Sequence, residues 1–182
     1  MKNGTFEYFD HKNKLKTLEI QRMQIVQDTA EQIHADNLNY LDFNRAGMGM
    51  LKIYTNNGIT HPSDAPLVVK DMRSMFRHLL ISKANFDKGS MRVKVDVQMY
   101  KSADAHANKV SFKNLRSYNE IELAIISEVR RQAAVLDKGE TVVGEVRKFD
   151  LKSKNSVALR SEKKDVDFRY LAENDIPAVK IS

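Results

Sequence analysis

Two stretches of this chain alternate apolar and polar residues with a period of two. They run from Leu38 to Tyr54 and from Ser90 to Tyr100. In the second, Met91, Val93, Val95, Val97 and Met99 fall on one side, and Arg92, Lys94, Asp96 and Gln98 on the other. That is the signature of a half-buried strand with a wet, polar outer face. Two other stretches change to helical spacing. One opens at Ser63 as N-cap, with Asp64 and Pro66 in the first turn, and places Val68, Met72, Met75, Phe76 and Leu79 on a core-facing stripe. The other opens on the capping box Ser117-x-x-Glu120, continues through Ile121, Ile125, Val129, Gln132 and Leu136, and stops at Lys138-Gly139.

Past Gly139 the runs are short and strand-like, over 141–149, 156–159 and 166–170. Polar loops fall at 101–108 and 152–155, and no repeat or change of composition marks a boundary. The pattern predicts one α+β domain over residues 1–182, a largely antiparallel sheet with helices packed on one face.

Charge adds a partner class. Thirty basic against 24 acidic residues give a net charge of +6 and a pI near 9.4, which suits a polyanion such as nucleic acid. Having no cysteine, the chain has neither disulfides nor thiolate metal ligands, and no run is apolar and long enough for a membrane helix. His11, His34, His61, His78 and His106 are scattered, without HExxH or i, i+4 pairing, so no histidine metal site is predicted. There is no G-x-S-x-G, P-loop or dinucleotide fingerprint, so a nucleotide site would have to be built from side chains on the sheet.

The candidate chemistry lies in six short polar strings. They are Asp42-Phe43-Asn44-Arg45-Ala46-Gly47, Gly89-Ser90-Met91-Arg92, Phe112-Lys113-Asn114-Leu115, Glu145-x-Arg147-x-Phe149-Asp150, Leu159-Arg160-Ser161-Glu162 and Asp167-Phe168-Arg169-Tyr170. Each sets a cation beside a turn or strand, where a guanidinium fork can grip phosphate or carboxylate. Gly89 is where backbone could approach a ligand closely. Singly, each is more simply a solvated cation. As a set they resemble the amidotransferase B-subunit family, and that resemblance implies a cleft for an anionic substrate, lined by Arg45, Arg92, Lys113, Arg147, Arg160 and Arg169, with Asn44, Asn114, Glu145 and Asp167 orienting them.

In order and spacing these strings resemble the catalytic cradle of the B subunit of glutamyl-tRNA(Gln)/aspartyl-tRNA(Asn) amidotransferase, from about Ile20 to Ile181. The resemblance implies ATP-dependent phosphorylation of the glutamate on misacylated Glu-tRNA(Gln), then displacement of the phosphate by ammonia. It implies ATP and magnesium as cofactors, and a glutaminase A subunit and a small C-type subunit as partners. By the same resemblance the chain is a central portion, without the family's N-terminal Glu-x-His metal motif and cysteine-rich zinc segment, and without its C-terminal helical and tail regions. Several positions where the family carries acidic groups hold Gln27, Lys52, Asn56, Lys94 and Ser111 here, so no magnesium site is expected. The Met48-Gly49-Met50 variation suggests a mitochondrial copy, with a bacterial cytoplasm as the alternative. A non-catalytic RNA- or partner-binding remnant, or a fragment without a role, is the competing reading.

Overall fold

The computed structural model describes residues 2–35, 38–100, 108–151 and 155–161. Alternation in the first segment builds β1 (Lys2–Phe9) and the long β2 (Leu15–Gln27), joined by a tight turn and antiparallel. Strands β3 (Glu31–Ala35) and β4 (Leu38–Asp42) form a hairpin of their own. β5 (Gly49–Thr55) returns to pair antiparallel with β2, giving the order β1-β2-β5. The single alternating run predicted over 38–54 is thus two strands in two sheets, separated by the turn at 43–48. A small core of Tyr8, Leu18 and Val68 lies under the β1-β2-β5 sheet.

Helix α1 (Asp64–His78) follows. Its predicted stripe is only half buried. Val68 is in the core, whereas Met75 and Leu79 are exposed, so the expectation that Met75 fills the core is corrected. Ser63 does not cap the helix with its side chain. Its backbone is helical, and its hydroxyl donates to Glu122 Oε1 at 2.6 Å.

The second large sheet has the order β6 (Val93–Val97), β7 (Val110–Leu115), β8 (Glu145–Asp150), β9 (Asn155–Ser161). Between β7 and β8 the chain passes through α2 (Tyr118–Asp137), and β8 returns parallel to β7. This is the one parallel pair among the described strands, and it needs a helical crossover to exist. Apolar residues of α2, Ile121, Ala124 and Ile125, seal against Val110, Phe112 and Phe149 as the main core. The helix ends behave as the sequence predicts. Ser117 Oγ accepts from Glu120 N at 3.1 Å. Gly139, at φ +79°, ends the helix in a left-handed cap, with Gly139 N bonded to Leu136 O and Glu140 N to Val135 O. The predicted strand at 166–170 lies outside the described residues.

Candidate anion-binding site

Asp28 directly follows β2, and its backbone is fixed from both sides. Asp28 N donates to Met48 O at 2.8 Å, and Gly47 N donates to Asp28 O at 2.9 Å. The facing turn is shaped by its own residues. Asn44 N donates to Asp42 Oδ1 at 2.8 Å, Ala46 N to Phe43 O at 3.0 Å, and Gly47 takes φ +76°. This turn brings the Arg45 side chain back over β2, where Nε donates to Asp28 Oδ2 at 3.0 Å.

Arg92, just before β6, reaches the same carboxylate from the second large sheet. Its Nη1 donates to Oδ1 at 3.0 Å and its Nη2 to Oδ2 at 2.8 Å, a bidentate fork. Gly89 lies against both arginines, and its left-handed backbone, φ +63°, is what favours glycine there. A Cβ there would come within 3.6 Å of Arg45 Cδ and 3.7 Å of Arg92 Nη2. Both are ordinary van der Waals distances, so the glycine expected to lie against a ligand borders the two arginines without its missing Cβ being what admits them.

The carboxylate side chain is 3% exposed while Arg45 is 27% and Arg92 45% exposed, so the anion is inside and Arg92 is the more outward of the two cations, Arg45 Nη2 lying 3.8 Å from Met50 Sδ. Two guanidinium groups against one carboxylate leave the knot net positive. Each guanidinium carries five N–H donors, so both retain donors beyond those Asp28 occupies.

Burial alone would push the Asp28 carboxyl up. The Arg45 hydrogen bond, the Arg92 charge and the hydrogen bonds from Arg92 and Thr29 N outweigh burial and hold it below the ordinary carboxylate range. A folded pKa below the unfolded one contributes stability that is complete above the unfolded value and is lost as pH falls through the folded one. The melting temperature is therefore expected to hold from neutral pH down to about 5 and to fall below about 4. An Asp28→Asn variant should show a shallower acid limb when both proteins are melted across that range; identical limbs would show that Asp28 does not set it.

The other predicted site residues divide. Arg147 is turned inward, only 13% exposed. It forms an ion pair with Glu145 through Nη1 and donates from Nε to Ser156 Oγ at 2.8 Å and from Nη2 to Ser156 O at 2.7 Å. Beside it, the fully buried Glu128 of α2 takes a two-pronged bond from Arg131, at 2.7 and 3.0 Å, and one from Gln132 Nε2 at 2.8 Å. Gln132 also ties α2 to β6, donating to Val97 O at 3.2 Å and accepting from Met99 N at 3.0 Å. Glu145 and Arg147 thus belong to a buried clamp between α2 and the second large sheet.

Lys113 and Asn114 are consecutive yet both exposed. The ladder explains it: Val95 pairs with Phe112 and Val93 with Leu115, so two residues of β7 bulge opposite Lys94, with Asn114 at φ +60°. Arg160 lies in β9 opposite Val146. Asp167 and Arg169 lie outside the described residues.

The positions where the resemblance implies magnesium carboxylates do not fit that ion. Lys94 Nζ is 3.1 Å from Asp96 Oδ1, Lys109 Nζ is 3.4 Å from Oδ2, and Ser111 Oγ donates to Oδ1 at 2.6 Å. Asp96 is therefore already neutralised by ammonium groups. Asn56 Nδ2 is bonded to Glu19 Oε2 at 2.6 Å, while Lys52 stands opposite Gln24 and Gln27 opposite Gly49. Magnesium requires hard anionic oxygens in near-octahedral array, and the ammonium groups of Lys94 and Lys109 beside Asp96 repel a dication there.

Asp28 was not legible as a site residue. It stands alone after β2, 17 residues from Arg45 and 64 from Arg92 in sequence, and only the folded chain joins them.

A family model described as the GatB/GatE catalytic domain matches residues 1–182. The B subunit of the aspartyl/glutamyl-tRNA(Asn/Gln) amidotransferase of Mycoplasma mycoides subsp. mycoides SC is 34% identical over 181 residues, covering 99% of this chain and 38% of that protein. The protein of the same name from Mycoplasma capricolum subsp. capricolum is 33% identical over 181 residues, with the same coverage. That from Rickettsia bellii is 32% identical over 184 residues, covering 100% of this chain and 38% of its own length. The chain spans 38% of the length of these curated relatives.

Proposed function

The chain belongs to the GatB/GatE catalytic-domain family, and from that premise we propose that it serves a tRNA-dependent amidotransferase by binding the phosphate-rich aminoacyl end of a misacylated tRNA. In the reaction that the relatives' name denotes, an amide is made on aspartate or glutamate carried by tRNA. We place this chain with Glu-tRNA(Gln), with ATP as the source of the activating phosphate and with glutaminase and small partner subunits supplying ammonia. The Met48-Gly49-Met50 variation supports a mitochondrial setting.

The observation carrying this reading is the Asp28 knot. A buried carboxylate holds Arg45 and Arg92 in one fixed arrangement with outward donors left over, so little side-chain freedom is lost when a phosphate or carboxylate arrives. What the chain's own residues do is hold and orient an anion. Ammonium groups at Lys52 and Lys94 favour a second reading, a binding module that keeps the knot without phosphoryl transfer. Glutamine-dependent conversion of Glu-tRNA(Gln) in a mixture with the partner subunits separates the two readings.

Photo-crosslinking from a photoreactive 3′-terminal nucleotide of a tRNA tests placement. Crosslinked peptides are expected to contain Arg45 and Arg92. Crosslinks confined to other peptides would contradict the assignment of the aminoacyl end to this knot.

A further inference from the structure

At the end of β2 opposite the arginine knot, a second polar cluster gathers where the sequence predicts no histidine site. We propose that His11, His61 and Asp64 form a binding site for one divalent transition-metal ion of the zinc type, held by two imidazole nitrogens and one carboxylate oxygen. His11 lies in the β1–β2 turn, His61 in the loop before α1, and Asp64 is the first residue of α1. One ligand atom from each lies within 4.8 Å of the other two. His11 Nδ1 is 2.7 Å from Asp64 Oδ1, the His11 backbone N–H donates to the same oxygen at 3.0 Å, and the two rings stack with centroids 3.8 Å apart.

The surroundings favour a cation. Asp64 is fully buried, and Lys16 Nζ sits 3.2 Å from its Oδ2 and 3.2 Å from Asp10 Oδ2. With neutral imidazoles, two carboxylates face one ammonium, so the cluster carries net negative charge. Lys16 engages the far oxygen of Asp64 and leaves Oδ1 toward the histidines.

A second observation concerns a group outside the ligand set. The Tyr8 hydroxyl is buried with no hydrogen-bond partner, in a side chain only 2% exposed. Burial first, and then the charge of Asp64, push the phenol up, with Asp10 adding to this and Lys16 opposing. An unsatisfied buried hydroxyl beside a cluster of this charge is the kind of group that bonds a metal-bound water.

Binding requires small movements that the site permits. An ion lies in the plane of each imidazole it binds, so the nearly parallel rings cannot both face one ion as they stand. The torsion that turns an imidazole about its Cβ–Cγ bond is broad. His61 gives up only a long bond, from Ser63 N to its Nδ1 at 3.3 Å. At His11 the neutral ring carries its proton on Nε2, and the ion takes the Nδ1 lone pair beside Asp64 Oδ1. Two nitrogens and one oxygen, with a position open to water, suit zinc, cobalt or nickel and not magnesium or calcium. The cluster shares no residue with Gln27, Lys52, Asn56, Lys94 and Ser111, where the resemblance implies magnesium.

Calorimetric titration of the chain with zinc chloride, and of the same chain with cobalt(II) followed by its visible absorption, tests the site. One ion per chain is expected, with a cobalt spectrum of four-coordinate intensity. His11→Ala and His61→Ala should each weaken binding by at least about tenfold, the lower end of what even outer-shell partners contribute. His78→Ala, on the exposed end of α1, should leave it unchanged. No stoichiometric uptake by the unsubstituted chain, or equal affinity in either cluster variant, overturns the proposal. The unsubstituted titration stands even where a variant folds poorly. Its failure would leave the arginine knot untouched, since the two sites share no residue.

Discussion

Replacing Asp28 by alanine is expected to lower the stability of the chain by about 3 kcal/mol, or a melting temperature drop of roughly 6–12 °C for a chain of this size. The variant leaves Arg45 and Arg92 facing each other with no anion between them, and strips the bidentate fork and the Arg45 Nε bond of their acceptor. Removing one partner of a buried ion pair costs about 3–5 kcal/mol. The lower end applies because Arg92 is nearly half exposed and water screens it. The loss is also architectural, because Arg92 and Asp28 join the two large sheets across 64 residues of sequence. Thermal melts of Asp28→Ala beside Asp28→Asn check this. The amide can still accept from one arginine and should recover part of the loss; melts indistinguishable from the unsubstituted chain would show that the knot holds nothing together.

A comparable loss is expected for Glu128→Ala. That carboxylate is wholly buried in α2 and accepts from Arg131 and Gln132, with Arg147 Nε 3.8 Å away. Among the described residues, its removal leaves Glu145 as the one acidic partner of Arg147 and, at 3.7 Å, of Arg131. It also releases the Gln132 amide that ties α2 to the end of β6. About 3 kcal/mol is the expected cost. Glu128→Gln, which keeps the shape and one acceptor, should cost less, and chemical denaturation with both variants measures the difference. If Glu128→Ala unfolds within about 0.5 kcal/mol of the parent, the range of ordinary surface substitutions, the buried clamp does not hold α2 to the sheet.

What the sequence showed best was local. α2 announces itself by period, by Ser117 at its start and by Gly139 at its end, because capping and left-handed termination are decided within a few residues. The alternation of β6 was equally plain. β1 and β2 are hard to read as strands from sequence, because the apolar phase of 15–27 slips at Gln21-Arg22, where the β2–β5 register also shifts, and only Leu18 of β2 is buried. The parallel pairing of β7 with β8 is a matter of topology that no dipeptide encodes.

The site followed the same division. Arg45 and Arg92 were legible as cations on turns, and the glycine beside Arg92 as a point of close approach. Their convergence on Asp28 was not, since it depends on a turn at 43–48 folding back over β2. Arg147 reads as one more cation on a polar face, but it is held by Glu145 and by Ser156 of the neighbouring strand, with the helix residue Glu128 3.8 Å away. His11 and Asp64 are 53 residues apart and share no motif.

The central claim is that Arg45 and Arg92 face a polyanion. Its most direct test is the salt dependence of tRNA binding to the chain and to the Arg45→Ala, Arg92→Ala double variant. Each phosphate neutralised contributes roughly 0.9 to the slope of log affinity against log salt on a duplex and about 0.7 on a single strand. The double variant, still folded by its melting curve, is expected to flatten that slope by about 1.4–1.8 units. A folded double variant with the slope unchanged would contradict the claim and leave Arg45 and Arg92 as ties between the two large sheets alone.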